Sequence, residues 1–257
     1  MTQQQAHALE IKALNNIPLV QSGDDLVELI IDALQNDSLN LRDGDALVIS
    51  SKIISKSEGR VVDLKTVTPS QSAVSLAQET RKDPRIVEMV LQESTMVSRT
   101  APGVLVTQHR LGFISANAGI DQSNVGHDPD LILLMPDNPD LSAGKIRDRL
   151  HERLSVQVGV IISDSHGRPF RMGNIGVAIG IAGMPALVDL RGQQDLFGRE
   201  LKISLQAYGD LVASAAHLVC GEGDEGRPVV LVRGLDYEAV TGSASVLNRP
   251  PEQDLYR

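Results

Sequence analysis

The stretch VIISDSHGRPFRMGNIGVAIGIAG, Val160–Gly183, holds the densest chemistry in the chain. An apolar run ends in Asp164, Ser165 and His166, and Arg168 and Arg171 follow closely. A carboxylate beside a hydroxyl suits a hard cation such as Mg²⁺, which takes oxygen ligands and keeps water or phosphate oxygens in its shell. Guanidinium groups offer forked donors to carboxylate or phosphate. The competing reading is a polar turn at a strand end, closed by an internal Asp–Arg pair. His166 alone is assigned no catalytic role.

Three further polar clusters carry similar options. ISSKIISKSEGR (Ile49–Arg60) places hydroxyls and lysines after an apolar run. They could meet phosphates, or they could lie on an exposed amphipathic strand with solvated lysines. The G-x-x-x-x-G-K-[ST] spacing of a P-loop is absent from the chain. SANAGIDQSNVG (Ser115–Gly126) sets Asp121 and Asn124 among small residues, as a site loop or as an ordinary turn. CGEGDEGRP (Cys220–Pro228) alternates Glu222, Asp224 and Glu225 with glycines after a helical pattern. Carboxylates at a helix C-terminus oppose its dipole, and a cation would relieve the repulsion. A glycine cap followed by a solvated acidic loop explains the pattern equally. Together the clusters resemble equipment for phosphoryl transfer, where positioning and charge neutralisation carry most of the catalysis.

The elements that must position these groups read as follows. Leu9–Leu14, Ala46–Ser50, Arg60–Leu64, Leu131–Met135, Val156–Ser163 and Val229–Arg233 are strand-like apolar runs. Ser22 opens a capping-box-like start for a helix carrying Leu26, Leu29, Ile30, Ala33 and Leu34. Further helices are expected over Ser70–Arg81, Pro84–Gln92, Ser142–Leu154 and Ala207–Cys220, and a hairpin over Gly103–Gly119 turning near His109–Gly112. The mixture predicts a mixed α/β (α+β) fold rather than a clean doubly wound sheet. One unit over 1–257 is expected, with two lobes as an option and a loose tail over 245–257.

Composition bounds the function. The chain has 257 residues, 42% hydrophobic and only 2% aromatic, so its core must be aliphatic. A net charge of -9 disfavours nucleic acid and anionic membrane as partners. A single cysteine, Cys220, excludes an internal disulfide framework and fits a reducing cytoplasm. The start, MTQQQAHALE, lacks the basic and apolar regions of a secretory signal, and no apolar run approaches membrane-spanning length.

Five segments in order carry a resemblance: Ile17–Val20, Ser50–Arg60, Asn117–Val125, Ser163–Gly183 and Gly221–Gly234. Over roughly Leu9–Gly234 the chain resembles the coenzyme F420-0:L-glutamate ligases, the GTP-dependent γ-glutamyl ligases. The resemblance implies that GTP activates the terminal carboxylate of F420-0 as an acyl phosphate. The amine of L-glutamate then forms an amide, with GDP and phosphate released, and a further γ-linked glutamate can follow. It implies two Mg²⁺ or Mn²⁺ ions per site, a response to K⁺ in some members, and an intertwined homodimer of an uncommon mixed-sheet fold, neither P-loop nor Rossmann.

Carried over by position, the resemblance gives Asp121 and Asp164 one metal, and Ser165 and Glu222 the second. Ile17, Pro18, Leu19 and Val20 would line the guanine pocket. Ser51, Lys52 and Lys56 would meet phosphates, and Asn124 would touch the nucleotide. Cys220, Gly221, Gly223, Asp224, Glu225, Gly226 and Arg227 would wrap it. Arg168 or Arg171 is expected to clamp the F420-0 phosphate or the incoming glutamate. Ser165 stands where the family often has Thr, which keeps the oxygen; His166 and Phe170 stand where it often has aromatic residues. Some members are fused to a flavin-dependent reductase domain; by resemblance this chain is expected to be the stand-alone form. The alternatives are another GTP-dependent carboxylate–amine ligase with a different acid acceptor, an inactive GTP-binding protein, and an acidic domain with no ligand.

Overall fold

The computed structural model describes residues 8–254. The expectations for the first seven residues, and for the last three of the tail, lie outside them. Chain order runs β1 (Glu10–Ala13), α1 (Leu26–Asn36), β2 (Ala46–Ser50), α2 (Ser51–Ser57), β3 (Val61–Asp63), α3 (Gln71–Thr80) and α4 (Pro84–Gln92). Next come β4 (Ser94–Ala101), β5 (Val104–His109), β6 (Ile114–Ala116), β7 (Leu131–Leu133) and α5 (Pro139–Leu154). The last elements are β8 (Gly159–Arg168), β9 (Arg171–Ala182), β10 (Val188–Asp189), β11 (Leu205–Gln206), α6 (Tyr208–Cys220) and β12 (Val229–Arg233). The fold is mixed α/β.

Two compact units divide the described chain. The first takes the residues up to Val20, Asp24–Ile54 and Asn138–Leu247. Its five-stranded sheet has the order β1-β12-β2-β8-β9. Only β2 and β8 pair in parallel; the other neighbours are antiparallel. Ala46, Val48, Ile161, Val230 and Val232 pack with Val212, Ala213 and Ala216 of α6. The alternate residues Leu47, Ile49, Ile162 and Leu231 are also buried, so both faces of the sheet are covered.

The glycine spacing of β9 has a packing cause. A Cβ on Gly180 would lie 2.5 Å from the backbone of Pro139 in α5, and one on Gly176 would lie 2.7 Å from the Ala213 carbonyl of α6. Bare backbone at these positions lets two helices sit against the strand. The same helices satisfy N–H groups that the edge strand cannot pair within the sheet. Asp210 accepts from the Ala178 N–H at 2.9 Å, and Asp140 accepts from the Ile181 N–H at 2.8 Å. By occupying these N–H groups, the two helix carboxylates also block edge-to-edge pairing at this stretch of the strand.

The second unit takes Gln21–Gly23, Ser55–Asp137 and the described residues from Asn248 onward. It holds the β3–β7 pair and the sheet β4-β5-β6. Leu64, Ala73, Val87, Val90, Leu105, Ile132 and Leu134 form its core. Glu93 is nearly buried there and accepts from Arg60 at 2.9 Å and from Arg110 at 3.1 Å. His109, fully buried and stacked on Phe113, lies 3.3 Å from the same carboxylate.

Helix starts follow side-chain chemistry. Asp83 caps α4 ahead of Pro84, and Ser70 caps α3, as their residue types dictate. Three expectations need correction. Asp25, not Ser22, caps α1, because its carboxylate accepts from the Val27 and Glu28 N–H groups. Asn138 caps α5, so that helix begins before Ser142. The strand expected to end at Ser163 continues to Arg168 and folds back as β9. β4 had no apolar period to announce it: STMVSRTA lies largely at the surface.

Candidate active site

The polar site of the first unit starts from one parallel pairing. Ser50 of β2 sits opposite Ser163 of β8, so the next residues, Ser51 and Asp164, emerge at one level. The Ser51 hydroxyl donates to Asp164 Oδ1 at 2.8 Å. On the other carboxylate oxygen, His166 Nε2 lies 3.0 Å from Asp164 Oδ2. The carboxylate is thus held by Ser51 and approached by His166, with only 11% of its side chain exposed. The site stands at the carboxyl end of β2, where its parallel pairing with β8 stops and β8 runs on.

Alternation along β8 sends its neighbours the other way. Ser163 and Ser165 meet groups at the end of α6. Ser165 Oγ donates to Glu222 Oε1 at 2.5 Å. Glu222 Oε1 lies 3.5 Å from His217 Nδ1, and His217 Nε2 lies 3.3 Å from Ser163 Oγ. Gly221, with φ +80°, ends α6 and turns the chain so that Glu222 faces β8.

The loop beyond is held locally. The Gly223 N–H donates to the Glu225 carboxylate at 2.8 Å, and backbone hydrogen bonds keep that carboxyl below its ordinary range. Burial, then the nearby Glu222 and Glu225 charges, push the Cys220 thiol up. It is therefore a poor nucleophile. Burial also raises Asp210, against the opposing effects of the Ala178 N–H and His166.

A model of the F420-0:gamma-glutamyl ligase family matches residues 15–234. The chain belongs to the F420-0:gamma-glutamyl ligase family. It is 47% identical to the coenzyme F420:L-glutamate ligase of Methanopyrus kandleri, over 93% of both chains. The enzyme of the same name from Methanothermobacter thermautotrophicus is 43% identical, over 97% of this chain and 99% of its own. That from Methanocaldococcus jannaschii is 45% identical, over 84% and 86%.

Within this family member the structure joins Ser51 to Asp164, and Ser165 to Glu222. Ile17–Val20 form the loop after β1, with Leu19 exposed and Val20 buried. Lys52 and Lys56 lie on α2, a helix rather than the exposed strand that was the alternative. Asp121, in the second unit, is fixed by its backbone, which exchanges hydrogen bonds with Leu133 at 3.0 and 2.8 Å. Asn124 has φ +57°, a conformation Asn tolerates better than most residues.

The arginines do not pair with Asp164. Arg168 donates to the Met172 carbonyl at 3.3 Å, and its Nε is buried without a hydrogen-bond partner. Arg171 is exposed at the hairpin turn. The reading from sequence missed His217 and Ser163. A lone histidine in an apolar helix carries no spacing signal, and only the strand pairing shows what it faces. Among the described residues, no three His, Cys, Asp or Glu side chains converge to hold a metal ion.

Proposed function

We propose that this chain is a GTP-dependent ligase that joins the amine of L-glutamate to the terminal carboxylate of coenzyme F420-0. Family membership over nearly the whole chain supports the reaction. The observation that carries the chemistry is the oxygen-rich stretch of β8 where Ser51 braces Asp164 and Ser165 meets Glu222. In the first step an F420-0 carboxylate oxygen attacks the γ-phosphorus of GTP. The bond to the β–γ bridging oxygen breaks, and GDP leaves. The glutamate amine then attacks the acyl carbon, phosphate leaves, and the amine loses a proton. A second γ-linked addition is part of the proposal.

The donor set fits Mg²⁺ or Mn²⁺. Asp164, Ser165 and Glu222 present oxygen and no soft ligand, and such ions complete their shells with water and phosphate. Asp121 and Asp164 would hold one ion, Ser165 and Glu222 the other, with K⁺ as a further option. The bound ions would neutralise the phosphates and carboxylates that otherwise repel one another. The protein's own work is positioning: β2 and β8 fix Ser51 against Asp164, so that carboxylate is set before substrate arrives. Ser51, Lys52, Lys56, Asn124 and the Cys220–Arg227 loop are assigned to the nucleotide, and Ile17–Val20 to its base. Arg168 and Arg171 are assigned to the anionic acceptor or the incoming glutamate.

We infer a homodimer in a cytoplasmic setting. Leu196, Phe197 and Ile203, all at least 88% exposed between β10 and β11, support an apolar contact that one copy leaves uncovered. Among the described residues no helix is long and apolar enough to cross a membrane. The deciding experiment is mass spectrometry of F420-0, L-glutamate, GTP and Mn²⁺ with the protein, beside Asp164→Ala. Product heavier by glutamyl units, absent with the variant, is expected. GTP binding without that product would redirect the search to another carboxylate acceptor.

A further inference from the structure

We propose that His217 is a positioning residue that holds the Glu222 carboxylate against Ser165. The inference rests on the reading of Ser165 and Glu222 as metal ligands. It is carried by geometry within the first unit. The His217 ring sits flush on β9: a Cβ on Gly176 would fall 2.4 Å from its Cδ2 and 2.7 Å from its Cγ. Ser214, three residues earlier on α6, donates to the Gly176 carbonyl at 2.7 Å and fastens the helix to that glycine. The ring has little room to swing.

Both ring nitrogens then point at β8 or its ligand pair. Nε2 lies 3.3 Å from Ser163 Oγ, and Nδ1 lies 3.5 Å from Glu222 Oε1. Nδ1 is buried and has no hydrogen-bond partner at its present distance, so the Glu222 carboxylate is the acceptor it is left facing. A carboxylate oxygen only accepts, so Nδ1 carries the hydrogen in that contact. In the neutral ring Nε2 then accepts, and the Ser163 hydroxyl is its donor. The arrangement runs from Ser163 through His217 to Glu222, whose same oxygen also accepts from Ser165.

Glu222 needs such a brace. It follows the Gly221 turn, and its side chain is 57% exposed. Carboxylates that bind metals are themselves held by outer hydrogen bonds, and loss of those partners weakens metal affinity by about 10- to 100-fold.

The test measures Mn²⁺ affinity by electron paramagnetic resonance of free Mn²⁺, in the presence of GDP. The variants are Glu222→Gln, His217→Leu, His217→Asn, Ser163→Ala and the double variant His217→Leu/Glu222→Gln. Glu222→Gln is expected to weaken binding, and His217→Leu to weaken it by about 10-fold or more. His217→Asn, which keeps an N–H near Nδ1, should recover much of the loss, and Ser163→Ala should show a smaller loss. The double variant should bind no more weakly than Glu222→Gln, because His217 acts through that carboxylate. A purely structural His217 would instead lower the metal-free Tm and leave Mn²⁺ affinity alone. That result, or fully additive losses in the double variant, overturns the proposal. If Glu222→Gln binds Mn²⁺ like the parent, the ligand reading itself fails and takes the proposal with it. Should His217→Leu not fold, His217→Gln takes its place, because its longer amide sits near Nε2 and leaves Glu222 without a donor: Mn²⁺ affinity for His217→Gln equal to that for His217→Asn, with parent-like affinity for Ser163→Ala, would refute the arrangement.

Discussion

Replacing Glu93 by Gln leaves two guanidiniums and a buried imidazole gathered around a group that no longer carries charge. Burial alone would raise the Glu93 carboxyl, but His109, Arg60 and Arg110 outweigh it and hold the group down from 4.5 to about 2. A depression of that size corresponds to about 3 kcal/mol of stability at neutral pH, at about 1.4 kcal/mol per pH unit. Removing one partner of a buried ion pair costs about 3–5 kcal/mol, so the two routes agree in scale. The sign follows from the direction of the shift. The contribution is complete above the unfolded value near 4.5 and is lost as pH falls through the folded value near 2. The difference between wild type and Glu93→Gln, measured by urea denaturation, should therefore be about 3 kcal/mol near pH 7 and about 1 kcal/mol near pH 3. Protonated Glu93 and the glutamine that replaces it are alike in charge, so the curves converge. A difference that stays constant down to about pH 3 would refute the electrostatic account and assign the cost to packing.

Gly180→Ala should destabilise by about 1–3 kcal/mol, since the new Cβ meets the Pro139 backbone rather than a flexible side chain; thermal denaturation reads this. Asp140→Ala should cost about 2–4 kcal/mol, because the Ile181 and Ala244 N–H groups both lose their acceptor, while Asp140→Asn should cost less in the same melt. Asp164→Asn should abolish glutamyl transfer while metal-free stability changes by no more than about 1 kcal/mol, because an amide oxygen can still accept from Ser51. A large loss of Tm in that variant would make Asp164 a structural residue first.

The mixed α/β character, the aliphatic core and most element positions were legible in the sequence, because periodicity, caps and turn residues act over a few neighbours. Ala46–Ser50 and Pro84–Gln92 match their expected bounds for that reason. The family resemblance was also legible, and the match over residues 15–234 agrees with it. The second unit's β4 was not, because its residues stay mostly at the surface and show no apolar period.

Residue types alone marked Asp164, Ser165 and Glu222 as able to hold a cation; they left open which groups each would face. That depends on register. The parallel pairing of Ser50 with Ser163 is what brings Ser51 to Asp164, 113 positions away in the chain. The packing of α6 on Gly176 is what brings His217 between Ser163 and Glu222. The glycine spacing of β9 was visible from the start, but its meaning lies in the helices that press on it. Local sequence sets backbone conformation, since those interactions span a few residues. The partners of a polar side chain are set by strand pairing and close packing across the unit, and only the tertiary structure decides them.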